Sequence, residues 1–364
     1  MVHQKKANNY SSPPSEKNPG RDCLFSIGGH RLGWLNYKEI NRKIFCQSLQ
    51  GKYKVFLQYM KSATIWIVFT KNPGGKYMVK LVFEGRLDTV SDIHDLLGLC
   101  KTAFDILESA GDLTIDLSKL TMISTVGSLA LLSALDTLDR FFYLDISIPE
   151  NTGVIGYLER IDFFKYCPPD VKTSFESQIN MDRFYNRRRN DTTKTLLEIQ
   201  KMYSNDDVVR LCKSIRGILS NNNVGGNKIS DVVRIASELS SNAIEHGNWN
   251  AYSSIQYYPT KGTIEIAIGD NGVGIYNTLS EHVISHDKHD VIHQAVMTRA
   301  TSLPLEDRGK GLMDVRKTTF SRSYFADIYI RTHDSIYQIF PEGLKLLHEG
   351  NYFWGTFIHI VLHV

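Results

Sequence analysis

The sequence predicts an α/β protein built from two domains. Three observations carry that expectation. Strand-like and helix-like segments alternate between residues 77 and 169, and two amphipathic helices followed by paired strands open a second block at 195–364. A polar, basic stretch at 170–194 lies between the blocks and reads as a linker. The 364 residues are enough for two cores, and 42% apolar with 22% charged residues is ordinary for a globular chain.

Taken in order, residues 1–20 are rich in Asn, Ser, Pro and Lys and predict a disordered tail. Residues 21–76 suggest no domain, although Lys54–Leu57 and Ala63–Thr70 read as strands and Asn72-Pro73-Gly74-Gly75 as a turn. Tyr77–Phe83 reads as a strand. Ser91 is a fair N-cap for a helix running to about Ala110, with Ile93, Leu96, Leu97, Cys100, Phe104 and Leu107 at helical spacing. Leu113–Leu117, Gly127–Leu138 and Phe142–Ile148 follow as strand, helix and strand. A helical segment at 152–159 leads into Asp162-Phe163-Phe164, and Pro168-Pro169 closes the domain. In the second block Val208, Leu211, Ile215 and Ile218 mark a helix over 205–219. The Asn221-Asn222-Asn223 and Gly225-Gly226 cluster breaks it. A second helix starts from Ser230 as N-cap and ends at Gly247. Strands at 252–258 and 263–269 flank the Thr260-Lys261-Gly262 turn. A glycine loop, a polar segment, a helix near 311–318 and strands ending in Phe357–Val361 complete the chain.

Composition narrows the function. A net charge of +3 with dispersed Lys and Arg gives nucleic-acid binding no support, and the run Arg187-Arg188-Arg189 falls in the expected linker. The five cysteines (Cys23, Cys46, Cys100, Cys167 and Cys212) are odd in number and far apart, which suits a reducing compartment. No apolar run approaches the ~18 residues that span a bilayer, and the first thirty residues lack a signal-peptide core. A cytoplasmic protein without membrane contact is expected.

Three motifs carry candidate chemistry. Glu238, Asn242 and His246 recur every four residues along one side of a helix. The amide oxygen of Asn242 suits a magnesium ion, and the Glu238 carboxylate suits orienting or deprotonating a nucleophile. Taken alone, a solvated helix face explains this pattern equally well. Asp270-Asn271-Gly272-Val273-Gly274-Ile275 follows an apolar strand, 28 residues after Asn242. Its glycines let the backbone approach a flat ligand, while Asp270 can accept from an exocyclic amine. Asp-Asn-Gly is also a common turn. Arg308-Gly309-Lys310-Gly311-Leu312 runs into a helix whose first N–H groups and positive dipole end favour phosphate, and a plain tight turn is the other reading.

In this order and spacing the three motifs resemble the GHKL (Bergerat) ATPase superfamily over about 150 residues, and Gly355-Thr356 resembles its last box. The resemblance implies an α/β sandwich, a mixed sheet with helices on one face, binding ATP and Mg²⁺. It implies Asn242 as the magnesium ligand and Asp270 as the reader of the adenine amine. Gly272 and Gly274 would line the base, Gly309 and Gly311 the phosphates, and Thr356 the adenine side. His246, Arg308 and Lys310 complete the nucleotide-binding set, Glu238 is the implied general base, and residues 276–307 form a mobile lid.

The His246-Gly247 ending of the first motif, with no dimerising hairpin upstream, is similar to the anti-sigma-factor serine kinase branch, whose substrates are STAS-domain proteins. Ile115 to Gly127 resembles the STAS signature and Tyr157 to Phe164 the STAS ending, so residues 77–169 are expected to form a STAS-like domain. Thr125, in Ser124-Thr125-Val126-Gly127, falls at the phosphoacceptor position, although the preceding aspartate and the second serine are lost. A Ser/Thr protein kinase acting on a STAS partner or on its own N-terminal domain is the first expectation. An ATP-dependent conformational switch or slow ATPase that controls a protein partner without phosphorylating it is the second, and a pure interaction protein the third. Homodimerisation stays open. His282, His286, His289 and His293 could pair on zinc, but the charged neighbours Asp287, Lys288 and Asp290 favour a polar lid.

Overall fold

The computed structural model describes residues 22–27, 30–36, 45–49, 52–57, 63–71, 77–107, 111–186, 195–247, 250–285, 287–298, 311–321, 325–350 and 352–363. The expected tail at 1–20, the turn at 72–75, the triple-arginine run, His286, and Arg308, Gly309 and Lys310 lie outside them. Two compact units result, residues 1–42 and 43–364. In the first, β1 (Asp22–Ile27) and β2 (His30–Asn36) pair antiparallel, with a register irregularity between Leu24 and Ser26.

The larger unit begins with β3 (Phe45–Leu49), β4 (Lys52–Leu57), β5 (Ala63–Lys71) and β6 (Tyr77–Leu87), an antiparallel meander. The segment at 21–76 therefore supplies three of the seven strands of this first sheet. Helix α1 (Val90–Ile106) carries the chain to β7 (Asp112–Asp116), parallel to β6. A short β8 (Leu120–Ile123) pairs parallel with the far end of β6, and α2 (Thr125–Asp139) crosses to β9 (Tyr143–Ser147), parallel to β7. Helix α1 starts at Thr89 rather than near Ser91. Thr89 and Asp92 form a capping box in which the Thr89 N–H donates to Asp92 Oδ2 at 2.8 Å.

Helices α3 (Thr152–Arg160) and α4 (Phe163–Tyr166) follow. The expected linker is largely structured, as α5 (Pro169–Gln178) and α6 (Asp182–Tyr185). Val171 and Phe175 of α5 are buried, and its Ser174 and Gln178 bond the exposed edge of β9. Gln178 Nε2 donates to the Ile146 carbonyl at 2.5 Å, and the Ile148 N–H donates to Gln178 Oε1 at 3.3 Å. A strand edge is thereby closed by side chains.

After β10 (Leu196–Met202) come α7 (Asn205–Asn221), α8 (Gly226–His246), β11 (Ala251–Tyr258) and β12 (Thr263–Asp270). Then follow α9 (Ile275–Leu279), α10 (Lys288–Met297), α11 (Gly311–Phe320), β13 (Ala326–Thr332), β14 (Ser335–Ile339), β15 (Leu344–Glu349) and β16 (Thr356–His363). Helix α8 starts a turn before Ser230, whose hydroxyl bonds back to the Gly226 carbonyl instead of capping.

The second sheet runs β10-β11-β12-β16-β13-β14-β15 and every neighbouring pair is antiparallel. The mixed sheet is the first one, so that expectation was attached to the wrong half of the chain. Strand alternation sorts the second sheet's side chains. Ile255, Ile264, Ile266, Ile268, Ile330 and Ile360 join one core with α7, α8, Val296 of α10 and Val315 of α11. The opposite face is covered too, by α2 over β11 and β12 and by α1 over β13 and β14. Helices therefore lie on both faces, and the two expected domains share one compact unit.

Candidate functional site

Helix α8 presents Leu239, Ala236 and Ala243 to the core and leaves Glu238, Asn242 and His246 half-buried along its flank. The sequence spacing thus survives as geometry: three polar groups, one per turn, on one side. The start of α11 meets this flank. The Gly311 N–H hydrogen-bonds to Glu238, and Arg234 of α8 pairs with Asp314 of α11. Burial and the nearby Asp314 carboxylate raise the Glu238 pKa, while the Gly311 N–H and Arg234 oppose them. A raised carboxylate is better matched to accepting a proton near neutrality.

At the other end of α8 the chain turns back through β11 and β12 to Asp270, which is 6% exposed. Its Oδ1 accepts from the Gly272 N–H at 2.7 Å and from the Thr356 N–H at 3.3 Å. Burial lifts its pKa to about 7 against the pull of those two donors. Neither bond uses Oδ2, which leaves that oxygen for a donor on a ligand.

Two glycines are required by close approach. A Cβ on Gly272 would lie 2.0 Å from the His246 carbonyl oxygen, and one on Gly355 would lie 2.0 Å from the Asp270 carbonyl oxygen. The Gly355 N–H donates to the Gly272 carbonyl at 2.7 Å, and Gly355 has φ +95°. Backbones of α8, the glycine loop and β16 are thus drawn together with no side chain between them. The loop continues through Gly274, at φ +87°, to Ile275, whose N–H donates to Thr332 Oγ1 at 2.9 Å. Thr332 in turn lies 3.2 Å from Thr356 Oγ1.

Every expected site residue that falls among the described residues, except Thr125, therefore lies on these joined elements. Of the third motif only Gly311 and Leu312 are described, at the start of α11. In the expected lid, Lys288 Nζ at the start of α10 donates to Asp334 at 2.7 Å and also pairs with Glu349, while His289 Nδ1 is 2.5 Å from the Tyr337 hydroxyl. The front of α10 is tied to the β13–β14 turn and to β15.

Thr125 is placed elsewhere. It is 0% exposed at the start of α2, its hydroxyl 3.0 Å from Tyr157 Oη and 3.4 Å from Gln256 Oε1 on β11. As an acceptor it is closed in this arrangement, because its oxygen lies between the two sheets' layers. A residue that motif reading passed over stands closer to the site. Asn271, 1% exposed, is bonded by Ser133 and Thr137 of α2. As the variable position of Asp-x-Gly it carried no signal of its own.

No protein-family model matches the chain, and no curated protein matches it either. The functional reading therefore rests on the residues and their geometry. No helix among the described residues is long and apolar enough to cross a membrane.

Proposed function

We propose that the chain is a regulatory protein of GHKL type that binds Mg-ATP in the cleft framed by α8, the Asp270 loop, β16 and the start of α11. One observation carries the reading: motifs far apart in sequence converge, Glu238 on Gly311 and Asp270 on Thr356. Asp270 Oδ2 would accept from the adenine amine, and the backbone packing that requires Gly272 and Gly355 would hold that carboxylate in place. The half-buried Asn242 amide, one turn after Glu238 on α8, offers the hard oxygen that Mg²⁺ prefers. That donor set fits the ion.

Bound Mg-ATP would supply an electrophilic γ-phosphoryl group. In the kinase reading Glu238 takes the proton from a Ser or Thr hydroxyl. The hydroxyl oxygen then bonds to phosphorus as the bond to ADP breaks. The favoured acceptor is a separate STAS-type protein, since Thr125 of this chain's own STAS-like layer is buried. That same burial gives weight to the second reading, an ATP-driven switch that alters a protein partner's affinity without phosphorylating it. Incubation of the full chain with γ-labelled ATP and Mg²⁺ separates them. Label on a STAS partner, lost in Glu238→Ala, supports the kinase; bound nucleotide with no protein labelling supports the switch. Absence of nucleotide binding overturns both.

A further inference from the structure

We infer that Ser133, Thr137 and Asp136 of α2 are positioning residues for the nucleotide loop, making the N-terminal layer an allosteric control of the site. This inference rests on the ATP reading above and names its regulation. Asn271 sits between Asp270 and Gly272, inside the loop that shapes the pocket. Its carboxamide is fully specified by one turn of α2. The Ser133 hydroxyl donates to Asn271 Oδ1, and Asn271 Nδ2 donates to Thr137 Oγ1 at 3.2 Å and to the Ser133 carbonyl at 3.4 Å. The Thr137 hydroxyl gives its own proton to the Ser133 carbonyl at 2.9 Å, so each hydrogen has one place.

A second contact ties the same loop to the same helix through Asn250. Asn250 Nδ2 donates to Asp136, and the Asn250 carbonyl accepts the Asn271 N–H at 3.2 Å. Lys201 of β10 and Arg140 also reach Asp136, at 4.0 and 3.3 Å. Thr125, Ser133, Asp136 and Thr137 all lie on the side of α2 that faces β11 and β12. A shift of α2 along the sheet would strain or break the Asn271 bonds and so release Asp270 and Gly272 from their positions, because only one peptide separates each from Asn271. By linkage, nucleotide bound at Asp270 must then stabilise the docked position of α2.

The test measures ATP affinity in the presence of Mg²⁺ for the full chain and two variants. Ser133→Ala/Thr137→Val removes the hydroxyls at nearly constant volume. Leu144→Ala, in β9, destabilises the N-terminal sheet without touching the loop. The expected result is a five- to tenfold weaker Kd for the double variant and an unchanged Kd for Leu144→Ala. Binding by the wild type with both variants unchanged, or both weakened in step with their thermal stability, overturns the coupling and leaves ATP binding standing. No binding by the wild type overturns the ATP reading and the coupling with it. Amide exchange on the wild type gives an independent readout should the double variant fail to fold. Residues 129–139 should exchange more slowly with Mg-ATP than without, and unchanged exchange on measurable binding contradicts the proposal.

Discussion

Asp270 sets the chemistry of the site at the scale of single residues. Its folded pKa of about 7 lies far above the ordinary 3.8, because burial penalises the charge more than two backbone donors relieve it. The sign follows from linkage: the ionised carboxylate weakens the free protein, and that penalty grows as pH rises from about 4 through about 7. Asp270→Asn removes the charge. The variant should therefore melt above the wild type at pH 8, and the gap should narrow at pH 5. Nucleotide affinity should run the opposite way, falling as pH drops below about 7 and the acceptor becomes protonated. Thermal melts and titrations at several pH values check both, and a gap in Tm that widens on acidification contradicts the assignment. Gly272→Ala, which sets a methyl group on the His246 carbonyl, should abolish nucleotide binding while the fold persists in the circular dichroism spectrum.

At the scale of elements, α8 is both wall and core. Leu239→Ala should destabilise the chain by ~2–5 kcal/mol, read by chemical denaturation, since Leu239 is 1% exposed between the second sheet and α7 and α11. Gln178→Ala should destabilise by about 1 kcal/mol, because it leaves backbone groups at the β9 edge without their side-chain partner. These elements show how far sequence reasoning reached. The 3.6-residue rhythm of Val208, Leu211, Ile215 and Ile218 located α7, and the spacing of Glu238 and Asn242 located the flank of α8. Helix starts were less legible where two candidates compete. Thr89 outweighs Ser91 because Asp92 stands three residues after it. Ser230 loses the N-cap because Gly225 and Gly226 let the helix begin earlier. Residues 170–186 looked like a linker because their charges mask the periodic Val171, Ser174, Phe175 and Gln178, which pack on β9.

At the scale of the whole molecule, α2 joins what the sequence divides. Its residues Val126, Leu129, Leu131, Leu132 and Leu135 are apolar on all sides, which is the mark of a helix covered on two faces. That signal was present, but the partner on the second face lies more than a hundred residues away and leaves no local trace. Buried on both sides, α2 should make residues 43–364 unfold as one cooperative transition, seen as coincident melts by circular dichroism and tryptophan fluorescence. Two separated transitions would show that the layers are independent. If Asp270 anchors a nucleotide pocket, calorimetric titration of the full chain with ATP in the presence of Mg²⁺ will detect it. Saturable binding at one site is expected, as is its loss in a folded Asp270→Asn variant. A wild type that gives no binding heat, or an Asp270→Asn variant that binds as tightly, would contradict it.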